Sequence, residues 1–130
     1  MASELRVDTL KDSSGNNSVG MSYVAGGSAK AWGFLEWSGG LTAEGSLNVA
    51  SVSDDGNGDF GVNFTSSMAD AHYAYNTLSS LVSGNTYVYG WEVVKATGSA
   101  NMQCGRHYNG GTTVAEDPET NELSVHGDLA

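Results

Sequence analysis

The first segment alternates. In Glu4-Leu5-Arg6-Val7-Asp8-Thr9-Leu10, Leu5, Val7 and Thr9 oppose Glu4, Arg6 and Asp8, the period of a strand with one wet face. The polar run Lys11 to Ser18 interrupts it and predicts a turn or linker. A boundary within residues 11–28 then separates an N-terminal arm, residues 1–28, from a main domain, residues 29–130. That domain opens on Ala29 to Trp37, where Trp32 and Phe34 share one strand face and Leu35 and Trp37 the other, so both faces are expected to be partly covered. Ser38-Gly39-Gly40 ends it. Leu47 to Ser53 and Phe60 to Thr65 flank the turn-rich Asp54-Asp55-Gly56-Asn57-Gly58-Asp59; this is a β-hairpin with Phe60, Val62 and Phe64 inward and Gly61, Asn63 and Thr65 outward.

Residues 66–82 fit both helical spacing and alternation. Their Ser, Thr and Asn content, with no Lys, Arg, Glu or Gln, favours a loop running into a strand, since these residues prefer caps and turns. Thr86 to Val94 predicts a strand with Tyr87, Tyr89, Trp91 and Val93 on one face. Gly98 to Asn101 turns the chain, Met102 to Tyr108 pairs back, Asn109-Gly110-Gly111 turns again, and Leu123 to His126 closes the domain. Pro118 falls in an acidic loop, where it interrupts no ladder.

Composition agrees with short strands and tight turns: 18 of 130 residues are Gly, about twice the usual ~7%, among dispersed aromatic and β-branched residues. The formal net charge is −10, and the five cations, Arg6, Lys11, Lys30, Lys95 and Arg106, are scattered. Phosphate contacts need clustered Lys and Arg, so neither nucleic acid nor an anionic membrane is an expected partner. No apolar run reaches the ~18 residues of a span, and the charged start lacks a leader pattern, which predicts synthesis in the cytoplasm without membrane insertion. Against that route, the sequons Asn16-Asn17-Ser18 and Asn63-Phe64-Thr65 have no use. The single Cys104 excludes an intrachain disulfide and is expected to be a small buried thiol.

The chemical motifs are weak. Gly56-Asn57-Gly58-Asp59-Phe60-Gly61 matches G-x-G-x-x-G, but a β-patterned segment follows where a phosphate-binding helix would be needed. Asp55-x-Asn57-x-Asp59 opens like an EF-hand loop, yet Phe60 replaces its turn glycine and Ser66 its bidentate Glu; capture of Ca²⁺ by Asp54, Asp55 and Asp59 stays open, while a turn using Asp, Asn and Gly accounts for the same residues. Cys104-x-x-His107 supplies two zinc ligands where a structural site takes four, and His72 and His126 add no suitable spacing. No Gly-x-Ser-x-Gly elbow is present. Glu36, Glu44, Asp54 and Asp55 leave paired carboxylates for sugar cleavage open. Neither metal nor cofactor is expected. Trp37, Tyr73, Tyr75, Tyr87, Tyr89 and Tyr108 could stack on sugars, although most aromatics in a chain without Ile must fill the core.

Gly27 to Trp32, Asn48 to Thr65 and Met68 to Ala74, with the opening Glu4 to Leu10 and the ending Leu123 to Asp128, resemble a module of tailed-bacteriophage virion proteins, common in tail fibres and small knob proteins of cyanophages and other marine phages. The run Gly33 to Trp37 departs from the polar turn usual there, and residues 76–122 match no relative. The resemblance implies an all-β fold, an antiparallel, jelly-roll-like β-sandwich knob with a short N-terminal arm, forming a homotrimer on the virion surface. The expected function is a non-enzymatic structural protein, tail fibre or capsid decoration, for host attachment or particle stabilisation. Its size and own Met1 predict an accessory piece. Expected partners are two further copies, other virion proteins, and a host-surface glycan or protein. Leu5, Val7 and Leu10 are the candidates for oligomer or virion attachment, and Trp37 and Tyr108 for host-surface binding. Three copies would concentrate negative charge, so charges should lie outward around an apolar or cation-bridged axis. The alternatives are a phage polysaccharide-degrading enzyme and a free-standing carbohydrate-binding module.

Overall fold

A computed structural model describes residues 3–80, 87–107 and 111–130, without the side chains of 87–92. The elements run β1 (Thr9–Lys11), β2 (Ser18–Gly20), α1 (Met21–Gly27), β3 (Ala29–Glu36), β4 (Thr42–Leu47), β5 (Val49–Gly56), β6 (Asp59–Phe64), β7 (Ala74–Ser80), β8 (Tyr87–Lys95), β9 (Ser99–His107), β10 (Thr113–Ala115) and β11 (Thr120–His126). All strand pairs are antiparallel, so the all-β class stands.

The strands form three sheets. β1 and β2 make a separate two-stranded ribbon. A four-stranded sheet has the order β4-β3-β11-β7. In the five-stranded sheet β9 is central: β8 lines one side of it, while β6 and β10 share the other side end to end, and β5 lies beyond β6. The closing strand is thus no edge: β11 lies between β3 and β7, extended to Thr120. The sequence places it last but cannot supply its neighbours.

Inward side chains of both larger sheets join one core. Ala31 and Leu35 of β3 and Leu123 and Val125 of β11 meet Phe60, Val62 and Phe64 of β6 and Ala100, Met102 and Cys104 of β9, closed by Met68 and Tyr73 from the loop before β7. The hairpin faces follow the alternation: Phe60, Val62 and Phe64 are buried, Asn63 and Thr65 exposed. Gly61, however, is covered, because Ser53, Asp55 and Asn101 close over it.

Three local devices connect the sheets. Asn48 is the only described non-glycine residue at positive φ (56°), a conformation Asn tolerates, and it turns the chain from β4 directly into β5. Its carboxamide clamps the end of β6, donating to the Ser66 carbonyl (3.0 Å) and accepting from the Ser66 N–H (2.6 Å). The Tyr73 hydroxyl donates to the Ser99 carbonyl at 2.8 Å and lies 3.0 Å from that of Ala96, while Lys95 donates to the Tyr73 carbonyl. At the β5–β6 turn, Gly58 (φ 72°) sits so close to β9 that an added Cβ would collide with the Cys104 carbonyl oxygen and stand 2.7 Å from the Glu116 amide nitrogen.

Several expectations need correction. The strand expected over residues 4–10 shrinks to Thr9–Lys11; Leu5 and Val7 find no surface to cover and stay exposed. A seven-residue helix, α1, follows β2 with no side-chain cap. β4 lacks hydrophobic alternation and forms because β3 offers it a ladder. In β8 the register slips between Gly90 and Glu92; the expected face of Tyr87, Tyr89, Trp91 and Val93 falls mostly on side chains outside the described residues. The expected Asn109-Gly110-Gly111 turn falls mostly outside the described residues.

Gly58→Ala, which must displace backbone, is expected to cost about 2–4 kcal/mol and lower the thermal midpoint by roughly 10 °C. Circular dichroism melting checks it; an unchanged midpoint would contradict the close approach.

Candidate functional site

Among the described residues, a depression with chemistry in it lies where β3 ends. Trp37 follows Glu36, and its N–H donates to the Glu119 carbonyl at 3.0 Å; the Glu119 N–H in turn donates to the Ser80 carbonyl at 2.9 Å. Residues 116–119 thereby form a strap from the five-stranded sheet across to β3 and β7. An open cleft of about 450 Å³ lies against it, lined by Glu36, Trp37, Ser38, Asp117, Pro118, Glu119 and Thr120.

The strap is held from below. Asn57 donates to the Ala115 carbonyl at 2.6 Å and accepts the Asp117 N–H at 3.3 Å, while the Gly58 N–H donates to Asp117 Oδ1 at 2.6 Å. Cys104 donates its N–H to the Gly58 carbonyl at 2.7 Å and its thiol to the Glu116 carbonyl at 3.4 Å. Arg106 pairs with Glu116 at 2.5 Å in a half-buried setting. Pro118 is fully buried. Trp37 stands edge-on to Phe60, centroids 4.9 Å apart at 80°, an aromatic geometry that fixes the ring. Among the described residues the wall therefore combines one aromatic braced on Phe60 with three carboxylates, two hydroxyls and no cation.

Trp37 lines the cleft. Tyr108 lies outside the described residues. Leu5, Val7 and Leu10 are exposed, Leu5 at 80%, on the N-terminal segment away from the cleft. Leu10 pairs with Val19 across the β1–β2 ribbon. The hairpin acids do not converge: Asp54 accepts the Gly56 N–H, Asp55 accepts Ser53 and Asn101, and Asp59 accepts Gln103. No group of three His, Cys, Asp or Glu among the described residues could hold a metal ion. Cys104 and His107 sit three apart on β9, hence on opposite faces; Cys104 is buried, and His107 contacts Thr113. Glu36 and Glu44 belong to the four-stranded sheet, Asp54 and Asp55 to β5 of the other. His72 and Asp70 pair at 3.4 Å in an exposed loop, where hydrogen bonds from His72, its N–H first, hold the Asp70 carboxyl below its usual value.

Sequence reasoning missed Asn57, Asp117 and Glu119 as builders of the cleft. The Asn-Gly turn dipeptide and the acidic Glu116-Asp117-Pro118-Glu119 run were visible signals; their contact, 60 residues apart in sequence, was not. It also missed an exterior feature. On the outer face of the four-stranded sheet, register aligns Leu47, Trp32, Ser124 and Asn76 in one row and Gly45, Phe34, Glu122 and Leu78 in the next. Trp32, Leu47 and Leu78 are 43, 48 and 68% exposed, and the Trp32 ring lies over Gly45. The outer face of the other sheet is polar across β5, β6 and β9, in three hydrogen-bonded groups: Ser53 and Asn101 on Asp55, Asn63 on Ser51, and Gln103 on Asp59.

Comparison with known protein families, with curated proteins and with solved structures finds no match.

Burial, and after it Asp117, pushes the Cys104 thiol up to about 12, with Ser79 pulling slightly the other way. A raised pKa means that this group's contribution is complete below the unfolded value of ~8.5 and is lost as pH climbs from there to about 12, at up to about 1.4 kcal/mol per pH unit. Stability measured from pH 8 to 11 should fall more steeply in the native chain than in Cys104→Ala. Iodoacetamide at pH 8 should modify Cys104 only in denaturant; ready alkylation of the folded protein would contradict the burial.

Proposed function

We propose that the chain is a non-enzymatic structural protein of a bacteriophage particle, a homotrimeric knob displayed on the virion for host attachment or particle stabilisation. Its two larger sheets are read as a jelly-roll-like β-sandwich. What supports the sandwich is the shared core together with a path that changes sheet between β4 and β5, β6 and β7, β7 and β8, and β10 and β11, as sandwiches with Greek-key connections do. The phage assignment rests on the sequence resemblance alone.

The observation that carries the assembly is the contrast between the two outer sheet faces. Across β5, β6 and β9 one carries polar side chains bonded in small groups, with Val94 of β8 exposed beside them; the other presents Trp32, Leu47 and Leu78 beside a shallow groove of about 270 Å³ lined by Asn76, Thr77, Leu78, Glu122, Leu123 and Ser124. Exposed apolar patches of this kind mark association surfaces. For a chain carrying a net charge of −10, an apolar face is where copies can meet with least repulsion. A copy of the same chain fits, because only Glu122 brings charge into these two rows. The N-terminal segment, residues 3–28, supplies no fully buried side chain, and an isolated two-stranded ribbon is marginal in water. In this reading it is ordered by docking on a neighbour through Leu5, Val7 and Leu10.

Light scattering on the purified chain should give three chain masses at both low and high salt. Trp32→Ser with Leu78→Asp should give a folded monomer with an unchanged circular dichroism spectrum, the loss corresponding to at least ~100-fold weaker association. A native chain that stays monomeric in both salts overturns the assembly.

A further inference from the structure

We propose that the Trp37 cleft recognises a neutral, hydroxyl-rich sugar unit of a surface glycan and discriminates against acidic sugars. The inference deepens the attachment part of the function proposed above and does not depend on the oligomer.

Size comes first. A cleft of about 450 Å³ falls within the ~300–1,000 Å³ of small-ligand sites. Its aromatic element is already braced: the edge contact with Phe60 holds the indole, and the backbone N–H of Trp37 ties its main chain to the Glu119 carbonyl before any ligand arrives, so little ordering cost remains on binding. A sugar ring offers C–H groups to such a surface and hydroxyls around its perimeter.

The polar wall selects the ligand's charge. Glu36, Asp117 and Glu119 present carboxylates, which only accept hydrogen bonds, and Ser38 and Thr120 present hydroxyls. Hydroxyl groups of a neutral sugar donate to the first in charge-assisted bonds and exchange both roles with the second in neutral ones. A uronate, sialate or phosphate would meet three like charges with no cation in the wall, an arrangement that rejects anions by repulsion. A quaternary ammonium would be tolerated electrostatically, but its recognition uses several aromatic faces around the cation, and among the described residues this wall contains one aromatic.

The rigidity of the strap gives the wall its precision. Asp117 keeps one oxygen on the Gly58 N–H, and Pro118 is fully buried beside it. The Glu119 side chain is engaged in no hydrogen bond or ion pair among the described residues, so it can be changed without undoing the fold.

The test is a titration of the ¹⁵N-labelled full chain followed through the tryptophan indole N–H resonances, with Trp37 assigned by Trp37→Phe. The probes are methyl α-mannoside, methyl β-galactoside, N-acetylglucosamine, glucuronate and choline, each taken to about 50 mM. At least one neutral probe should shift the Trp37 resonance saturably, with a Kd of about 1–10 mM. Glu119→Gln should weaken that probe about three- to tenfold, and Glu119→Lys should admit glucuronate. The proposal is overturned if no neutral probe moves Trp37, if glucuronate or choline binds the native chain more tightly than every neutral probe, or if Glu119→Lys leaves the selectivity unchanged. Scattering on the same samples separates the two readings: a trimer that binds no neutral probe sinks the cleft alone, and a monomer that binds one sinks the assembly alone.

Discussion

No side chain fits at residue 58, and much of the molecule is arranged around that constraint. Because Gly58 can press against the backbone of Cys104 and Glu116, the β5–β6 turn is near enough for Asn57 and the Gly58 N–H to grip Ala115 and Asp117. The gripped segment continues to Glu119, which bonds Trp37 at the end of β3 and Ser80 at the end of β7. A turn belonging to one sheet thereby anchors a strap that ties into the other. The cleft beside Trp37 follows from this linkage, and its shape is set by backbone hydrogen bonds rather than by mobile surface side chains.

The interior and exterior of the sheets follow different logic. Inside, Leu35 and Val125 meet Phe60, Val62 and Met102 in an apolar layer. One buried polar group intrudes, Asn121, which donates to Ser79 (2.6 Å) and accepts from Thr77 (2.9 Å), so its burial leaves both ends of the carboxamide satisfied. Outside, the polar side chains of β5, β6 and β9 bond to one another, whereas Trp32, Leu47 and Leu78 across the molecule bond to nothing and remain half in water.

Alternation identified those strands whose two faces differ. Ala29 to Glu36, the hairpin around Asn57-Gly58 and Leu123 to His126 were legible because burial on one side imposes period 2. The same rule misled at Glu4 to Leu10, where alternation exists with no sheet to receive it. It was silent at Thr42 to Leu47, where a strand forms from backbone pairing and Gly45 serves to admit the Trp32 ring. Of the candidate site, Trp37 was visible as an aromatic, on one strand face with Leu35, able to stack on a sugar. Its acidic neighbours were not, because Asp117 and Glu119 read as an ordinary acidic loop until Asn57 is placed beneath them.

By itself the sequence determined the class of structure, the inward set of the hairpin, the division of β3 into two faces, the buried character of Cys104 and the anionic charge. These depend on local period, on turn chemistry at Asn57-Gly58 and on summed charge, all of which are properties of neighbours along the chain. Only the tertiary structure decided that β11 lies between β3 and β7, that Trp32 is left outside while Trp37 is braced against Phe60, and that three carboxylates border one cleft. Those outcomes depend on which strands pair across long separations, and a pairing choice is made by the packing of the whole core rather than by any segment in it.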